Sequence, residues 1–381
     1  MNHNTTFSDY VVRLRGFIRY CATADEALES LGGELEASFQ QFAMELFALQ
    51  FVQVPAYRKF CEARKVTPEI VRQWQDIPAM PTAGFKELEL TSIPSEERVR
   101  VFHSSGTTEQ RPSRHFHSEE SISGYESSLI PAFKAHLLPE EDGAELELIV
   151  LTPPPHLVPN SSLVHMFETV GREFGFRSSY FTGEIGLDGA WSLEVEKTRG
   201  LLNEAIMANR PVLLLGTAFS FVHLVDGLGE RNITLKLPVG SRVMETGGYK
   251  GRSRSMPKEE LHRLISKYLH VPAERIVCEY GMSELSSQAY DLRVPGAKSQ
   301  VQSLRRVFHF PPWTRVQIVS PETGREVKEG ETGLIRIFDL ANVRSVMAIQ
   351  AEDLGVRRGD GFELIGRAAM AESRGCSLMS L

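Results

Sequence analysis

The sequence predicts an α/β protein: layered α/β units around a mostly parallel sheet, followed by a smaller β-rich part. Between about residues 146 and 279, short apolar runs alternate with amphipathic stretches, the pattern of strand–helix–strand units. Past Pro311 the texture changes. Val316–Val319, Gly333–Phe338 and Phe362–Ile365 read as short strands between glycine and charged turns, with no long helix among them. A length of 381 residues leaves room for two or three structural units and a large core.

Each element follows from its local pattern. From about Ala24 to Val66 the chain reads as helical, because Leu31, Leu35, Phe39, Phe42, Leu46 and Leu49 recur at three- and four-residue steps, with Asp25 as a cap. Pro55, Pro68, Pro78 and Pro81 punctuate this lead-in, which ends near Pro94. The apolar stretch Val99–Phe102 precedes a hydroxyl-rich loop. Leu146–Leu151 reads as a buried strand, Ser162–Phe174 and Glu194–Asn209 as helices, and Val212–Leu215 as a strand entering the helix Phe219–Leu228. Val239–Met244 is a strand, Pro257–Leu269 a helix and Ile276–Glu279 a strand. The expected organisation is a helical N-terminal lead-in over 1–95, an α/β body over 96–310, a small β-rich subdomain over 311–366 and a mobile C-terminal tail over 367–381. No internal repeat of solenoid period is present.

Composition narrows the function classes. The chain is 42% hydrophobic and 24% charged, ordinary for a globular protein. A formal net charge of −7 argues against a general nucleic-acid binder. No apolar run reaches the roughly 20 residues needed to span a bilayer. The start, Met1-Asn2-His3-Asn4-Thr5-Thr6, lacks the basic and apolar segments of a signal peptide. Cys21, Cys61, Cys278 and Cys376 have neither CxxC nor metal-site spacing, so reduced thiols and a cytoplasmic location are expected.

Five stretches carry the chemistry. "HSSGTTEQRPSRHF" (103–116) places Ser104, Ser105, Thr107 and Thr108 around Gly106, beside Arg111 and Arg114. Hydroxyls and backbone N–H groups on such a loop can wrap phosphate oxygens, although a Ser/Thr-rich loop taken alone is more often a solvated turn than a phosphate clamp. It is not a Walker A loop, since GxxxxGK[ST] is absent. "CEYGMSE" (278–284) follows a buried strand and offers Tyr280, Gly281, Ser283 and Glu284 at a strand end, where α/β sheets bind ligands. A ring there can stack on a base, a hydroxyl can hold phosphate, and a carboxylate can hold Mg²⁺. "METGGYKG" (244–251) has Gly247 and Gly248, whose backbone can lie against a planar ligand. "QAEDLG" (350–355) offers Asp353 in a loop, and "GFELIGR" (361–367) ends in Arg367.

In this order the series resembles the motifs of the adenylate-forming ligase superfamily, whose members activate a carboxylic acid with ATP as an acyl-AMP. Within it the chain looks most like the LuxE-type acyl-protein synthetases, long-chain-fatty-acid–protein ligases related to phenylacetate–CoA ligases. "FHSSGTT", "PSRHF", "ETGGYKG", "EYGMSE", "EDLG" and "GRAAMAESRGCSL" carry the resemblance over about residues 80 to 381. It implies an adenylating body in which Ser104, Ser105, Gly106, Thr107 and Thr108 grip the β- and γ-phosphates of ATP. Gly247, Gly248 and Tyr280 would line the adenine, with Gly281 giving the turn its freedom. Ser283 would meet the α-phosphate and Glu284 would bind Mg²⁺. Asp353 would hold the ribose hydroxyls, with Arg367 near the ribose or α-phosphate. Donors and a cation would then stabilise charge at the α-phosphorus as a carboxylate displaces pyrophosphate. Two positions depart from the pattern. Glu109, Gln110 and Arg111 stand where many relatives have Gly and Lys, so Arg111 or Arg114 would supply the positive charge. The usual Thr-Gly before the ribose-binding aspartate is Ala351-Glu352.

Typical acyl–CoA ligases continue past the GR hinge into a lid domain bearing a catalytic lysine. Fourteen residues follow Arg367 here, so the expectation is a large domain without that C-terminal lid. The resemblance implies that Cys376 is the acyl acceptor. It sits between Gly375 and Ser377, and Arg374 would lower its thiol pKa modestly. Cys278 lies in an apolar strand, and Cys21 and Cys61 lie in helical segments, as packing residues do. His115 and His117 alternate as if on one strand face, but two histidines make a poor metal site without a third ligand. His165 and Met166 read as core or acyl-pocket residues, and "LLLGTAFSFVHL" (213–224) as either a pocket wall or helix core. No GxSxG is present for a serine hydrolase.

The expected function is ATP-dependent activation of a carboxylic acid, a fatty acid in the first instance. Transfer to Cys376 as a thioester follows, and then to a partner resembling an acyl-CoA reductase. Two other readings fit the residues: a ligase handing its adenylate to coenzyme A or a carrier arm, and a non-catalytic nucleotide-binding protein, for which Glu109 is the best support.

Overall fold

A computed structural model describes residues 6–23, 32–104, 111–139, 145–247, 256–294 and 305–367. The chain forms two compact units, Met1–Ala132 with Met282–Leu381 and Phe133–Gly281. The boundary anticipated at 95/96 therefore falls inside the first unit, as does that at 310/311.

The first unit opens with helix α1, Phe7–Thr23, which the sequence reading did not single out. A reciprocal cap starts it. The Asp9 N–H donates to the Thr6 hydroxyl at 3.2 Å, and the Thr6 N–H donates to the Asp9 carboxylate at 3.1 Å. Phe7, Tyr10, Val11, Leu14, Phe17, Ile18 and Cys21 form its buried stripe. The anticipated helical stretch runs as α2, Gly32–Gln53, and α3, Pro55–Ala63, while Asp25 and Leu31 lie outside the described residues. The break comes at Pro55, which fits a first helical position because its missing N–H would be unpaired there in any case. Leu35, Phe39 and Leu46 of the predicted stripe are buried; Phe42 and Leu49 are half-buried. Strand β1 (Met80–Pro81) and helix α4 (Gly84–Glu87) follow, then an antiparallel hairpin of β2 (Arg100–His103) and β3 (Arg114–His117). Helix α5, Glu119–Leu137, carries Pro131 near the 132/133 boundary.

The second unit realises the predicted alternation. Its elements are β4 (Glu147–Val150), α6 (Ser162–Glu173), β5 (Ser178–Phe181), a hairpin of β6 (Gly183–Ile185) and β7 (Trp191–Leu193), and α7 (Val195–Met207). After these come β8 (Val212–Thr217), α8 (Ala218–Glu230), β9 (Arg242–Thr246), α9 (Lys258–Leu269) and β10 (Ile276–Tyr280). Five strands pair in parallel in the order β10-β9-β8-β4-β5. Strands buried on both faces read as unbroken apolar runs, which is why β4 and β8 were legible. Leu214, Phe221, Val225, Val243, Leu261 and Ile265 lie in one apolar core. Ser161 caps α6 by accepting from the Val164 N–H, and Thr217 caps α8 by accepting from Ser220 N–H. The stretch 213–224 thus belongs to β8 and α8, and Leu214, Ala218, Phe221, Val222 and Leu224 of it lie in this core.

Back in the first unit, β11 (Ala289–Val294), β12 (Arg305–His309), β13 (Thr314–Val319), β14 (Thr332–Asp339), β15 (Ala348–Arg358) and β16 (Gly361–Arg367) pair antiparallel in the order β13-β14-β15-β16-β12-β11. Strand β1 joins β15 in parallel. One expectation is corrected here: Asp353 lies within strand β15, not in a loop. Glu352-Asp353 looks like a turn in isolation, but pairing with β16 on one side and β14 on the other carries the strand through it. Among the described residues no helix is long and apolar enough to cross a membrane.

Leu214 is fully buried at the centre of the parallel sheet. Leu214→Ala is expected to cost about 2–5 kcal/mol, from lost transfer energy and the cavity left behind, measured as a shift in urea unfolding.

Candidate active site

Hairpin β2–β3 sets the first group of side chains. Phe102, His115 and His117 point to its buried face, with the two imidazole centroids 4.2 Å apart. The connection from His103 to Arg114 holds the hydroxyl-rich loop. Ser104 is described at its start; Ser105, Gly106, Thr107 and Thr108 lie outside the described residues. On the return side, the Ser113 N–H donates to the Ser104 hydroxyl at 3.0 Å. Arg98 and Arg114 lie 4.5 and 5.6 Å from the Phe116 ring centroid, so cations gather at the base of this connection.

Tyr280–Glu284 passes from the second unit to the first between Gly281 and Met282. Within the first unit, Ser283 and Glu284 join the Ser104 group. The Ser113 and Ser283 hydroxyls are 3.3 Å apart, and Ser283 donates to Glu284 Oε2 at 3.0 Å. His115 Nδ1 lies 2.9 Å from the Ser283 carbonyl oxygen. A carbonyl only accepts, so this nitrogen carries the proton and the ring is held as one neutral tautomer. Burial pushes the His115 pKa down to about 4, against the opposing pull of the Ser283 hydrogen bond. Ser104, Ser113, His115, Ser283 and Glu284 therefore form one buried or half-buried polar group. Asp353 and Arg367 form a second pair, directly opposite each other across β15 and β16.

The residues that hold Glu284 were not anticipated. Asn342 Nδ2 donates to the Glu284 carbonyl oxygen at 2.7 Å and to the Val346 carbonyl oxygen at 3.0 Å, while accepting from the Ser286 hydroxyl at 2.6 Å. Fully buried Asp339 accepts from the Ser286 N–H at 2.8 Å, the Ser287 hydroxyl at 2.7 Å and the Ala341 N–H at 3.0 Å. Gln50 of α2 completes the set. It donates to the Asn342 and Val343 carbonyls at 2.7 and 3.1 Å and accepts from the Met347 N–H at 3.0 Å. The sequence signal was faint: a buried-looking Asp and Asn in "FDLANV" (338–343), a polar pair inside an apolar run.

In the second unit, Gly247 and Tyr280 stand at the carboxyl ends of neighbouring strands β9 and β10, whose register pairs Thr246 with Glu279. Gly247 has φ +74°, a conformation side chains disfavour, and a Cβ there would meet nothing within 4 Å among the described residues. Tyr280 is buried and Gly281 exposed. Gly248 lies outside the described residues, as does Cys376. The other cysteines are buried: burial pushes Cys21 up to about 11 and Cys61 up to about 12, so neither is a thiolate near neutrality. Among the described residues no group of three or more His, Cys, Asp and Glu is arranged to hold a metal.

The acyl-protein synthetase family LuxE matches residues 25–380. The chain belongs to that family. It is accordingly a ligase of the acyl-protein synthetase type. This LuxE-family chain is 22% identical over 333 residues to the long-chain-fatty-acid–luciferin-component ligase of Vibrio harveyi, covering 84% of this chain and 82% of that protein. It is also 22% identical over 347 residues to the ligase of the same name from Aliivibrio fischeri, covering 88% and 85%. Its fold is that of the adenylate-forming ligases. It resembles 2-hydroxyisobutyryl-CoA ligase, solved in an open conformation with 2-HIB-AMP and CoA, with a TM-score of 0.63 and 11% identity over 87% of this chain and 69% of that one. The same enzyme in its postadenylation state gives a TM-score of 0.64 at 12% identity, covering 88% of this chain and 68% of that one.

A buried neutral His115 has a signature in stability. The unfolded chain binds a proton near the ordinary 6.5, the folded chain only near 4, so the stability present above 6.5 is lost as pH falls through this window. His115→Phe is expected to show a shallower acid slope in urea unfolding between these values. An unchanged slope would place the titration elsewhere.

Proposed function

We propose that this enzyme activates a fatty acid with ATP as acyl-AMP and then carries the acyl group on Cys376. In the first step a carboxylate oxygen attacks the α-phosphorus, the bond to the bridging oxygen breaks, and pyrophosphate leaves. In the second the Cys376 thiolate attacks the acyl carbon, AMP leaves, and a thioester remains; the thiol proton goes to solvent. A partner protein resembling an acyl-CoA reductase then accepts the acyl group. The observation that carries the proposal is the family match, which runs through residue 380 and so takes in Cys376. The names of the Vibrio harveyi and Aliivibrio fischeri relatives support a fatty acid as substrate.

The geometry supports the division of labour. Ser104, Ser113 and Ser283 present short, rigid hydroxyls, suited to phosphate oxygens at little entropic cost. Ser105, Gly106, Thr107 and Thr108 would complete that clamp. Arg114, with its buried Nε unpartnered among the described residues, would supply positive charge toward the β- and γ-phosphates. Mg²⁺ keeps most of its waters and takes one or two carboxylates plus substrate phosphates, so the single carboxylate of Glu284 suits it. It would neutralise charge on the departing pyrophosphate. Gly247, Gly248 and Tyr280, with Gly281 as the flexible turn, would receive the adenine. Asp353 would hold the ribose hydroxyls, with the facing Arg367 balancing its charge and meeting the α-phosphate.

Coenzyme A as the acceptor is the second reading, favoured by the CoA-bound ligase of similar fold. The deciding measurement is intact-protein mass spectrometry after incubation with ATP, Mg²⁺ and a panel of fatty and aryl acids. The expected result is an acyl adduct released by hydroxylamine, mapped to Cys376 and absent from Cys376→Ser. Acyl-CoA formation by Cys376→Ser at the wild-type rate would hand the proposal to the second reading. Absence of acid-dependent pyrophosphate exchange would overturn both.

A further inference from the structure

The second unit carries a group of ionisable side chains that none of the roles above uses. Glu245 on β9 stands opposite Cys278 on β10, and Thr246 opposite Glu279. Lys258, the first residue of α9, reaches back to this pair of strands. Its ammonium lies 2.5 Å from Glu245 Oε2, 3.0 Å from the Gly247 carbonyl oxygen and 3.5 Å from Cys278 Sγ. His262, one turn further along α9, places Nε2 3.0 Å from Glu245 Oε1. Both oxygens of a fully buried carboxylate are thus engaged. Burial pushes the Glu245 pKa up, but Lys258 and then His262 outweigh it and hold the group at about 2, so it is ionised at neutral pH.

Lys258 is placed against its own helix. A cation on the first turn faces the positive end of the helix dipole, and fixing a lysine side chain costs rotamer freedom. Glu245 and the Gly247 carbonyl offset both costs. That carbonyl belongs to Gly247, which has a left-handed backbone and stands at the carboxyl edge of a parallel sheet, where ligands bind.

We propose that Lys258, Glu245 and His262 form a buried ionic brace that positions the Gly247 turn for the purine of ATP. This deepens the function proposed above and rests on it. The three are positioning residues, acting on the ligand through the Gly247 backbone. Glu279 lies outside the brace. Its register partner is Thr246, from whose hydroxyl its carboxyl accepts, so its side chain is on the opposite face of the sheet from Glu245, Cys278 and Lys258.

The test is ATP–pyrophosphate exchange by the full chain, with ATP affinity measured in parallel by calorimetry. Lys258→Met is expected to raise KM and Kd for ATP by about tenfold, with kcat and the KM for the acid within about twofold, and Lys258→Arg to restore most of the loss. A Lys258→Met protein with wild-type ATP affinity overturns the brace, as does an equal loss in Lys258→Arg. If Lys258→Met does not fold, His262→Gln decides: wild-type ATP affinity in that protein overturns the proposal. Wild-type protein that binds ATP without exchange would sink the adenylation reading instead, and the calorimetric comparison would still judge the brace.

Discussion

Asp339 has no exposure to water, and a carboxylate taken out of water must be met by donors or it will not stay buried. The chain meets it with two backbone N–H groups and the Ser287 hydroxyl, drawn from the stretch after Glu284 and from the turn after β14. That requirement fixes where Ser286 and Ser287 lie and, through Asn342, where the Glu284 backbone lies. Gln50 extends it to the N-terminal helices, because the turn it clamps, 342–347, is the one Asn342 belongs to. The helical lead-in is thereby part of the site's frame. Losing any one partner would leave a buried donor or acceptor unpaired, which costs more than the net worth of the bond itself.

The same reasoning separates the rigid from the adjustable parts of the site. Ser104, Ser113 and Ser283 are short side chains with few rotamers, tied to one another and to His115 by hydrogen bonds. His115 contributes geometry without charge, because burial keeps it neutral. The cations lie on the other side of the hairpin, where Arg98 and Arg114 rest on Phe116. In the second unit the order is reversed. Charge is deep in the sheet, on Glu245, and what it organises is a backbone turn at the strand ends.

Much of the fold was legible because hydrophobic periodicity is a local property of the chain. Strands β4, β8 and β10 announce themselves as apolar runs, and α6, α8 and α9 by three- and four-residue spacing. The ordered motifs were legible for the same reason: Tyr280, Gly281, Ser283 and Glu284 are neighbours in sequence, and their chemistry is set by their spacing. Helix α1 was passed over because polar residues fill the gaps in its stripe, and Asp353 was misplaced because its strand exists only through its partners on either side. Tertiary structure alone decided the partners of the buried polar groups. His115 meets Ser283 across 168 residues and Gln50 meets Asn342 across 292. No pattern along the chain encodes such a pairing. Apolar burial is satisfied by any neighbour, but a buried donor needs one acceptor in one direction, and that acceptor is chosen only once the sheets and helices have brought it within reach.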